Sequence, residues 1–486
     1  MHVLPNALMK RIEYHAHHTP QRIALSDGEQ HLSYKAVMQH IAQRRQRLRE
    51  VGAQRVALAL DNGLEWALWD LALMMEARVA VPIPDFFSDT QRRHIVQQAG
   101  IDSWIGQGSE TFSFRPTSDT AICQRRVDHV PALHEGTTRI TFTSGTSGSP
   151  KGVCLDNEAL LTVTESLAAV VAPLDIRRHL AMLPLSTLLE NIGGLYLPLW
   201  LGACSVLPGM ASLGWQGASG FDATVALKAI AYYQPHSMIL VPQLLQALVN
   251  HSPLAPTGLR FVAVGGAPVA NTLLTHAQQG GWPVFEGYGL SECSSVVCLN
   301  RPGEQRQGVG RPLAHARLRI DGEGQLHVSG ALMLGYLGEP ACGEWHATGD
   351  TGEWQDESIA LNGRQRDVFI TAYGRNVNPQ WVESELCTQS AIAQAMVYGE
   401  ALPANRALIV PTSAQHTDAQ LDAAIQAVNR QLPDYAQVHE WQRTPPFTPN
   451  NQQLTANGRL RRDKLLKAYG HWLQSTAPYS TKGATQ

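Results

Sequence analysis

The stretch from Thr141 to Gly152 reads TFTSGTSGSPKG. Thr143, Ser144, Thr146, Ser147 and Ser149 offer hydroxyl donors, and Lys151 offers a cation. Gly145, Gly148 and Gly152 let backbone N–H groups approach an anion. Together these residue types suit a phosphate. A Walker loop requires G-x-x-x-x-G-K-[ST], but here Pro150 precedes the lysine and Gly152 follows it. A P-loop NTPase is therefore disfavoured. A flexible Ser/Gly linker is the plain alternative, and a Pro directly before Lys argues against it. The only other cluster of ligand-type residues is HAHH at 15–18, which reads as a solvated helix end before Thr19-Pro20 rather than a metal site.

The elements around the loop must hold it in place. RITFTSG reads as a strand running into it. Upstream, RVALAL is a strand, Leu64 to Met75 a helix and VAVPIP a buried strand. Downstream, HSMILVP, LRFVAVGG and WPVFEGYG are strands, separated by the helical QLLQALVNH and VANTLLTHAQQG. This alternation predicts an α/β fold with parallel sheets and ligands at the carboxyl ends of the strands. From about residue 305 the texture changes to short strands with frequent Gly, and DGEGQ marks a turn between ARLRI and LHVSG. A small β-barrel-like subdomain is expected there. NGRQRD at 362–367 reads as a linker or hinge, and a small α+β domain follows. The expected boundaries are 1–363 for a large N-terminal domain and 364–486 for a mobile C-terminal lid, with a disordered tail from about 476.

The chain has 486 residues, 44% of them apolar and 16% charged, with a net charge of −3. That is ample for a core, and it gives no sign of a nucleic-acid partner. The seven Cys are scattered, and Cys293 and Cys298 lack zinc spacing, so a reduced cytoplasmic setting is expected. The opening residues carry no signal-peptide apolar run, and no transmembrane segment is expected.

Taken with its neighbours, the loop resembles the signature of the AMP-forming adenylating superfamily, which includes acyl-CoA synthetases, peptide-synthetase adenylation domains and beetle luciferases. VGGAP (264–268), GYGLSE (287–292), ATGD (347–350), GRQRDVFITAYGRNVNPQWVESEL and LTANGRLRRDKL follow in the family's order. TPQRIALSDGEQHLSYKAV resembles its N-terminal segment. Nearly the whole chain is covered, with motifs closest to the fatty acyl-CoA synthetase branch.

The resemblance implies that a carboxylate attacks the α-phosphate of ATP, giving acyl-AMP and pyrophosphate. A thiol of coenzyme A or of a carrier-protein phosphopantetheine then takes the acyl group. In that scheme the loop of Thr143, Ser144, Gly145, Thr146, Ser147, Gly148 and Lys151 holds the β- and γ-phosphates. Tyr288, between Gly287 and Gly289, packs on one side of adenine, with Gly265, Gly266, Ala267 and Pro268 on the other. Ser291 donates to the α-phosphate and Glu292 holds Mg²⁺. Asp350 takes the ribose hydroxyls, and Arg364 reaches ribose or phosphate. Arg366 is the hinge. Arg459 stands where the family has a catalytic Lys, and Lys464 is the alternative cation.

The family's amino-acid-activating members place an Asp early in the substrate segment. Here that segment reads LPLSTLLENIGGLYLPLWLGA and has none. Asp222 comes too late and reads as a helix N-cap. A small-molecule fatty or aryl acid is favoured, with Thr187, Leu188 and Ile192 on the acyl-pocket wall beside Leu189 and Leu195. An amino-acid adenylating enzyme and a degenerate, non-catalytic acyl-adenylate or carrier-protein binder are the alternatives. An acyl or peptidyl carrier protein is a candidate partner, and the chain is expected as a monomer or homodimer.

Overall fold

The structure, a computed structural model, describes residues 6–474 except 86, 129, 144–149, 217–219, 366, 373–375 and 456–457, and leaves out the side chain of Asn376. Ser144, Gly145, Thr146, Ser147 and Gly148 of the expected phosphate loop, the expected hinge Arg366 and the expected disordered tail lie outside the described residues.

The chain opens with helix α1 (Ala7–His18), capped by the Asn6 side chain, which accepts from the Met9 N–H. Leu8, Met9 and Ile12 are buried, while His17 and His18 stay in solvent at the helix end, as the sequence suggests. Strand β1 (Arg55–Ala59), helix α2 (Leu64–Met75) and strand β2 (Val79–Pro82) form a parallel βαβ unit. Apart from Glu65, every residue of α2 is buried, because its sequence is almost wholly apolar and its one buried carboxylate, Asp70, is paired with Arg139 and Tyr196. Strand β3 (Arg139–Thr143) extends this sheet in parallel with β2. Strand β4 (Lys151–Leu155) returns antiparallel, with Lys151 opposite Thr143. Helix α3 (Asn157–Val171) follows, capped by Asp156.

A second, nine-stranded sheet has β5 (Arg178–Leu180) inside its run of parallel neighbours. After β5 a short helical turn, Leu188–Glu190, widens into a π turn over Asn191–Tyr196 and then tightens into helix α4 (Leu197–Leu201). Helix α5 (Ala223–Tyr233) is N-capped by Asp222, which accepts from the Thr224 and Val225 N–H groups, in agreement with its predicted role. Strand β6 (Ser237–Leu240), helix α6 (Pro242–His251), strand β7 (Phe261–Val264), helix α7 (Asn271–Gln279) and strand β8 (Val284–Leu290) alternate as predicted. Strands β5 to β8 are parallel neighbours, and β9 (Ser295–Leu299) turns back antiparallel on β8. One core cluster joins Val56, Leu58 and Val153 of the first sheet to Leu299 of the second through α2 and α3.

Strands β10 (Arg317–Ile320), β11 (Gln325–Ser329), β12 (His346–Gln355) and β13 (Ser358–Arg364) make a four-stranded antiparallel sheet in that order. The DGEGQ turn joins β10 and β11 as expected, and the sheet stays open along its outer strands β10 and β13. The sequence reading placed a linker over 362–367. Instead Asn362, Gly363 and Arg364 belong to β13, because Gly363 pairs with Thr351 and Arg364 with Asp350.

The C-terminal part carries helix α8 (Pro379–Leu386), strands β14 (Ile392–Tyr398) and β15 (Asn405–Pro411), helix α9 (Asp418–Asn429), strand β16 (Val438–Arg443) and helix α10 (Arg462–Leu473). The three strands β14 to β16 form a separate sheet, and Val382, Ile409 and Ile425 share a core of their own.

Candidate active site

A cleft of about 2020 Å³ opens at the carboxyl ends of β6, β7 and β8 and reaches the C-terminal part. The loop after β7 supplies Gly265, Gly266, Ala267 and Pro268 to its wall. A Cβ on Gly265 would stand 2.9 Å from the Gly287 carbonyl oxygen, so only glycine lets this loop lie against β8. Gly287, Tyr288 and Gly289 line the cleft from β8.

The Tyr288 hydroxyl donates to Asp350 Oδ2 at 2.6 Å. Asp350 sits on β12 directly opposite Arg364 on β13, and Arg364 Nε lies 2.8 Å from Asp350 Oδ1. Both carboxylate oxygens are thus engaged. Burial pushes the Asp350 carboxyl up, while Arg364, the Tyr288 hydroxyl and Arg459 pull it back down. Burial also raises the Tyr288 phenol well above its usual range.

Ser291 and Glu292 follow β8 in a 3₁₀ turn and line the same cleft. Glu292 Oε1 accepts from the Tyr336 hydroxyl at 2.8 Å. Tyr336 pairs with Val153 on β4, next to the strand's first residue, Lys151. Lys151 Nζ lies 4.8 Å from the Tyr336 ring centroid and 2.9 Å from Glu339 Oε1. One tyrosine therefore stands between a carboxylate from the second sheet and a lysine from the first. Thr143 and Lys151, the described ends of the expected phosphate loop, both line the cleft.

Arg459 approaches from the C-terminal part. Its loop is tied by Thr455, whose N–H donates to the Arg459 carbonyl and whose hydroxyl accepts from the Arg459 N–H. Arg459 Nη2 then donates to the Gly266 carbonyl at 3.0 Å. Thr272 on α7 donates to Glu385 at 2.9 Å, which makes a second contact between the two parts. Lys464, the alternative cation, sits on α10 and is not on the cleft wall.

Of the expected acyl-wall residues, Thr187 and Leu188 line the cleft, as does Leu189. Ile192 does not, and neither does Leu195. Both are fully buried in the core cluster, because the π turn directs them into the body of the protein. Several polar residues of the cleft carry no signal in the sequence motifs, notably Glu286, His179, Ser237 and Tyr336. Glu286 neighbours Gly287 on β8, where burial raises its carboxyl to about 7 against the pull of Arg306. A Glu placed two residues before a Tyr in a strand was the available signal, since alternation puts both on one face.

For a nucleotide, the cleft offers a buried carboxylate with an arginine, an aromatic ring, a glycine-bearing loop and two cations. For Mg²⁺ it offers Glu292, a hard oxygen donor. Among the described residues, no group of three or more His, Cys, Asp or Glu could cage a metal ion. An ion at Glu292 would therefore complete its shell with phosphate oxygens and water.

Parallel sheets with a cleft at their carboxyl ends, closed by a smaller part carrying a cation, define a two-part α/β nucleotide-binding architecture. The chain belongs to the AMP-binding enzyme family, whose profile matches residues 12–337, and the AMP-binding enzyme C-terminal domain matches residues 366–477. A 2-succinylbenzoate–CoA ligase of Bacillus velezensis is 27% identical over 436 residues, covering 82% of this chain and 85% of that one. Long-chain-fatty-acid–CoA ligase 1 of Homo sapiens is 26% identical over 379 residues, covering 63% and 52%. The anthranilate CoA ligase AuaEII, solved with anthranoyl-AMP, superposes with a TM-score of 0.78 at 19% identity, covering 96% of this chain and 98% of its own. The Bacillus subtilis O-succinylbenzoate coenzyme A synthetase, solved with ATP and magnesium ion, gives 0.76 at 21% identity, covering 97% and 99%. These structures share the fold. Among the described residues, no helix is long and apolar enough to cross a membrane.

Proposed function

We propose that this protein uses ATP to activate a carboxylic acid and then transfers the acyl group to the thiol of coenzyme A. The observation that carries the reading is the meeting of Arg459 with the Gly266 carbonyl beside the Tyr288–Asp350–Arg364 unit. A lid cation reaches the rim of a nucleotide-type cleft, and acyl adenylation needs that convergence.

The proposed roles follow from chemistry. The Asp350 carboxylate accepts from the ribose hydroxyls, with Arg364 holding it in place. Tyr288 and residues 265–268 flank adenine. Glu292 and Ser291 face the α-phosphate region, and Lys151 serves the departing phosphates. A magnesium ion at Glu292 supplies charge neutralisation for the phosphate oxygens. Arg459 draws the acid's carboxylate toward the α-phosphate, offering a planar, permanently charged fork in place of an ammonium. A carboxylate oxygen bonds to the α-phosphorus while the bridge to the β-phosphate breaks, releasing pyrophosphate. The thiol sulfur then bonds to the acyl carbon, its proton is lost, and AMP leaves with the electron pair of the broken anhydride bond.

The named relatives act on aryl and on long-chain acids, which supports an aryl or fatty acid here. Their acceptor is coenzyme A, which supports that thiol over a carrier-protein phosphopantetheine. The test is a pyrophosphate-release screen across fatty, aryl and amino acids, followed by coenzyme A capture. Binding of ATP without release for any acid would favour a non-catalytic binder and sink this reading.

A further inference from the structure

The cleft does not end at the nucleotide side. Its wall takes Ser237, Ile239 and Val241 from β6 and the residue after it, and Phe261, Ala263 and Gly265 from β7 and its loop. Both sets run i, i+2, i+4, so one face of two neighbouring strands lines the cavity along its length. Ser237 is in register with Phe261. Four strand steps at about 3.3 Å each carry the channel about 13 Å below the level of Gly265. Leu167 and Val171 of α3, and Leu197 and Leu201 of α4, close it from the helix side. These walls are mostly apolar and suit an extended carbon chain.

One polar thread runs from this channel into the protein interior. Ser237 Oγ lies 2.9 Å from His179 Nδ1, and His179 Nε2 lies 2.9 Å from Glu190 Oε1. Glu190 Oε2 accepts from the Leu183 N–H at 3.1 Å. Ser237, His179 and Glu190 are 4%, 2% and 0% exposed. A Cβ on Gly194 would stand 2.0 Å from Glu190 Oε1, so the π turn closes tightly over this carboxylate. Burying a serine, an imidazole and a carboxylate together is unfavourable unless each is hydrogen-bonded. The interior members of the thread are paired on both sides. At its cavity end, Ser237 spends one hydrogen bond on His179, and a hydroxyl supports more than one.

The geometry points to a specificity site: the Ser237–His179–Glu190 thread reads a hydroxyl group on the tail of the acid, far from the carboxylate that is activated. This rests on the ligase reading above and deepens it, naming hydroxylated long acids as the substrate class. A substrate hydroxyl donates or accepts, so it matches Ser237 whichever way the thread is polarised. An unsubstituted chain would leave the Ser237 oxygen facing methylene groups, an unfavourable placement for a polar atom.

The test measures pyrophosphate release with straight-chain acids of increasing length, each paired with its ω-hydroxy counterpart. The native protein should favour the hydroxylated member at the fitting length by about tenfold in kcat/KM, carried mostly by KM. Ser237→Ala should lose about that factor on the hydroxylated acid and use plain acids as well as or better than the native protein, while Ser237→Thr retains the preference. An equal loss on both members of each pair would mean that the thread only braces the sheet, and would overturn the inference. A native preference for plain acids at every length would overturn it too. Either result leaves the ligase reading standing, because release is still observed. Absence of release with every acid overturns both.

Discussion

Tyr288 donates to Asp350 at 2.6 Å, so a ring on β8 and a carboxylate on β12 form one hydrogen-bonded unit. Tyr288→Phe keeps the ring and removes that donor. The expected result is a several-fold higher KM for ATP with the acid KM little changed, and a stability loss of about 1–3 kcal/mol from the under-satisfied carboxylate. Steady-state kinetics and chemical denaturation measure the two effects separately.

Lys151 is held by Glu339 at 2.9 Å, and both side chains are about half exposed. In the proposed reaction, phosphate must displace that carboxylate. Lys151→Ala should leave the fold intact and weaken ATP use. Glu339→Gln should act in the opposite direction and lower the ATP KM, because it removes the competitor. A rise in KM for Glu339→Gln would mean that the pair positions the lysine instead of restraining it.

Glu292 is a hard oxygen donor on the cleft wall. Glu292→Ala should nearly abolish adenylation, and added Mg²⁺ should rescue it only in part. Wild-type pyrophosphate release in this variant would falsify the assigned metal role.

Arg459→Ala should lose most of the adenylation half-reaction, and Arg459→Lys should recover part of it. Lys464→Ala should be close to native, since Lys464 lies off the cleft. Single-turnover acyl-AMP formation separates the two residues.

Glu286 brings a pH dependence. Its carboxyl is raised by burial from 4.5 to about 7. The folded chain therefore keeps a proton that the unfolded chain has released. The stability tied to this group is full below the unfolded value and is lost as the pH rises through about 7, by up to about 3 kcal/mol. Glu286→Gln should flatten the fall in Tm between mildly acidic and alkaline buffer. An unchanged slope in thermal melts would count against it.

The alternating strands and helices of the body were legible because each carries its own period. α2 is mostly apolar, α5 opens on Asp222, and β10 and β11 flank a turn rich in Gly. The site was legible where one short segment carries several chemical groups, as in GYGLSE and ATGD. It was not legible where the partner lies far along the chain. Nothing local to Ser237 announces His179 or Glu190, which come from β5 and the turn before α4. Ile192 was placed on the wall because apolar residues look alike whether they line a cavity or fill a core. A π turn, invisible in composition, decided its direction. Arg364 looked like part of a linker because the end of its strand is polar, and pairing with Asp350 made it a strand residue.

Arg459 meets the body at the carbonyl of Gly266 rather than at a side chain. A main-chain oxygen is present whatever residue occupies the position. No substitution in that loop can delete the acceptor; it can only move it. Sequence drift can therefore tune this latch from one side alone, through the residue at position 459 and the loop that carries it.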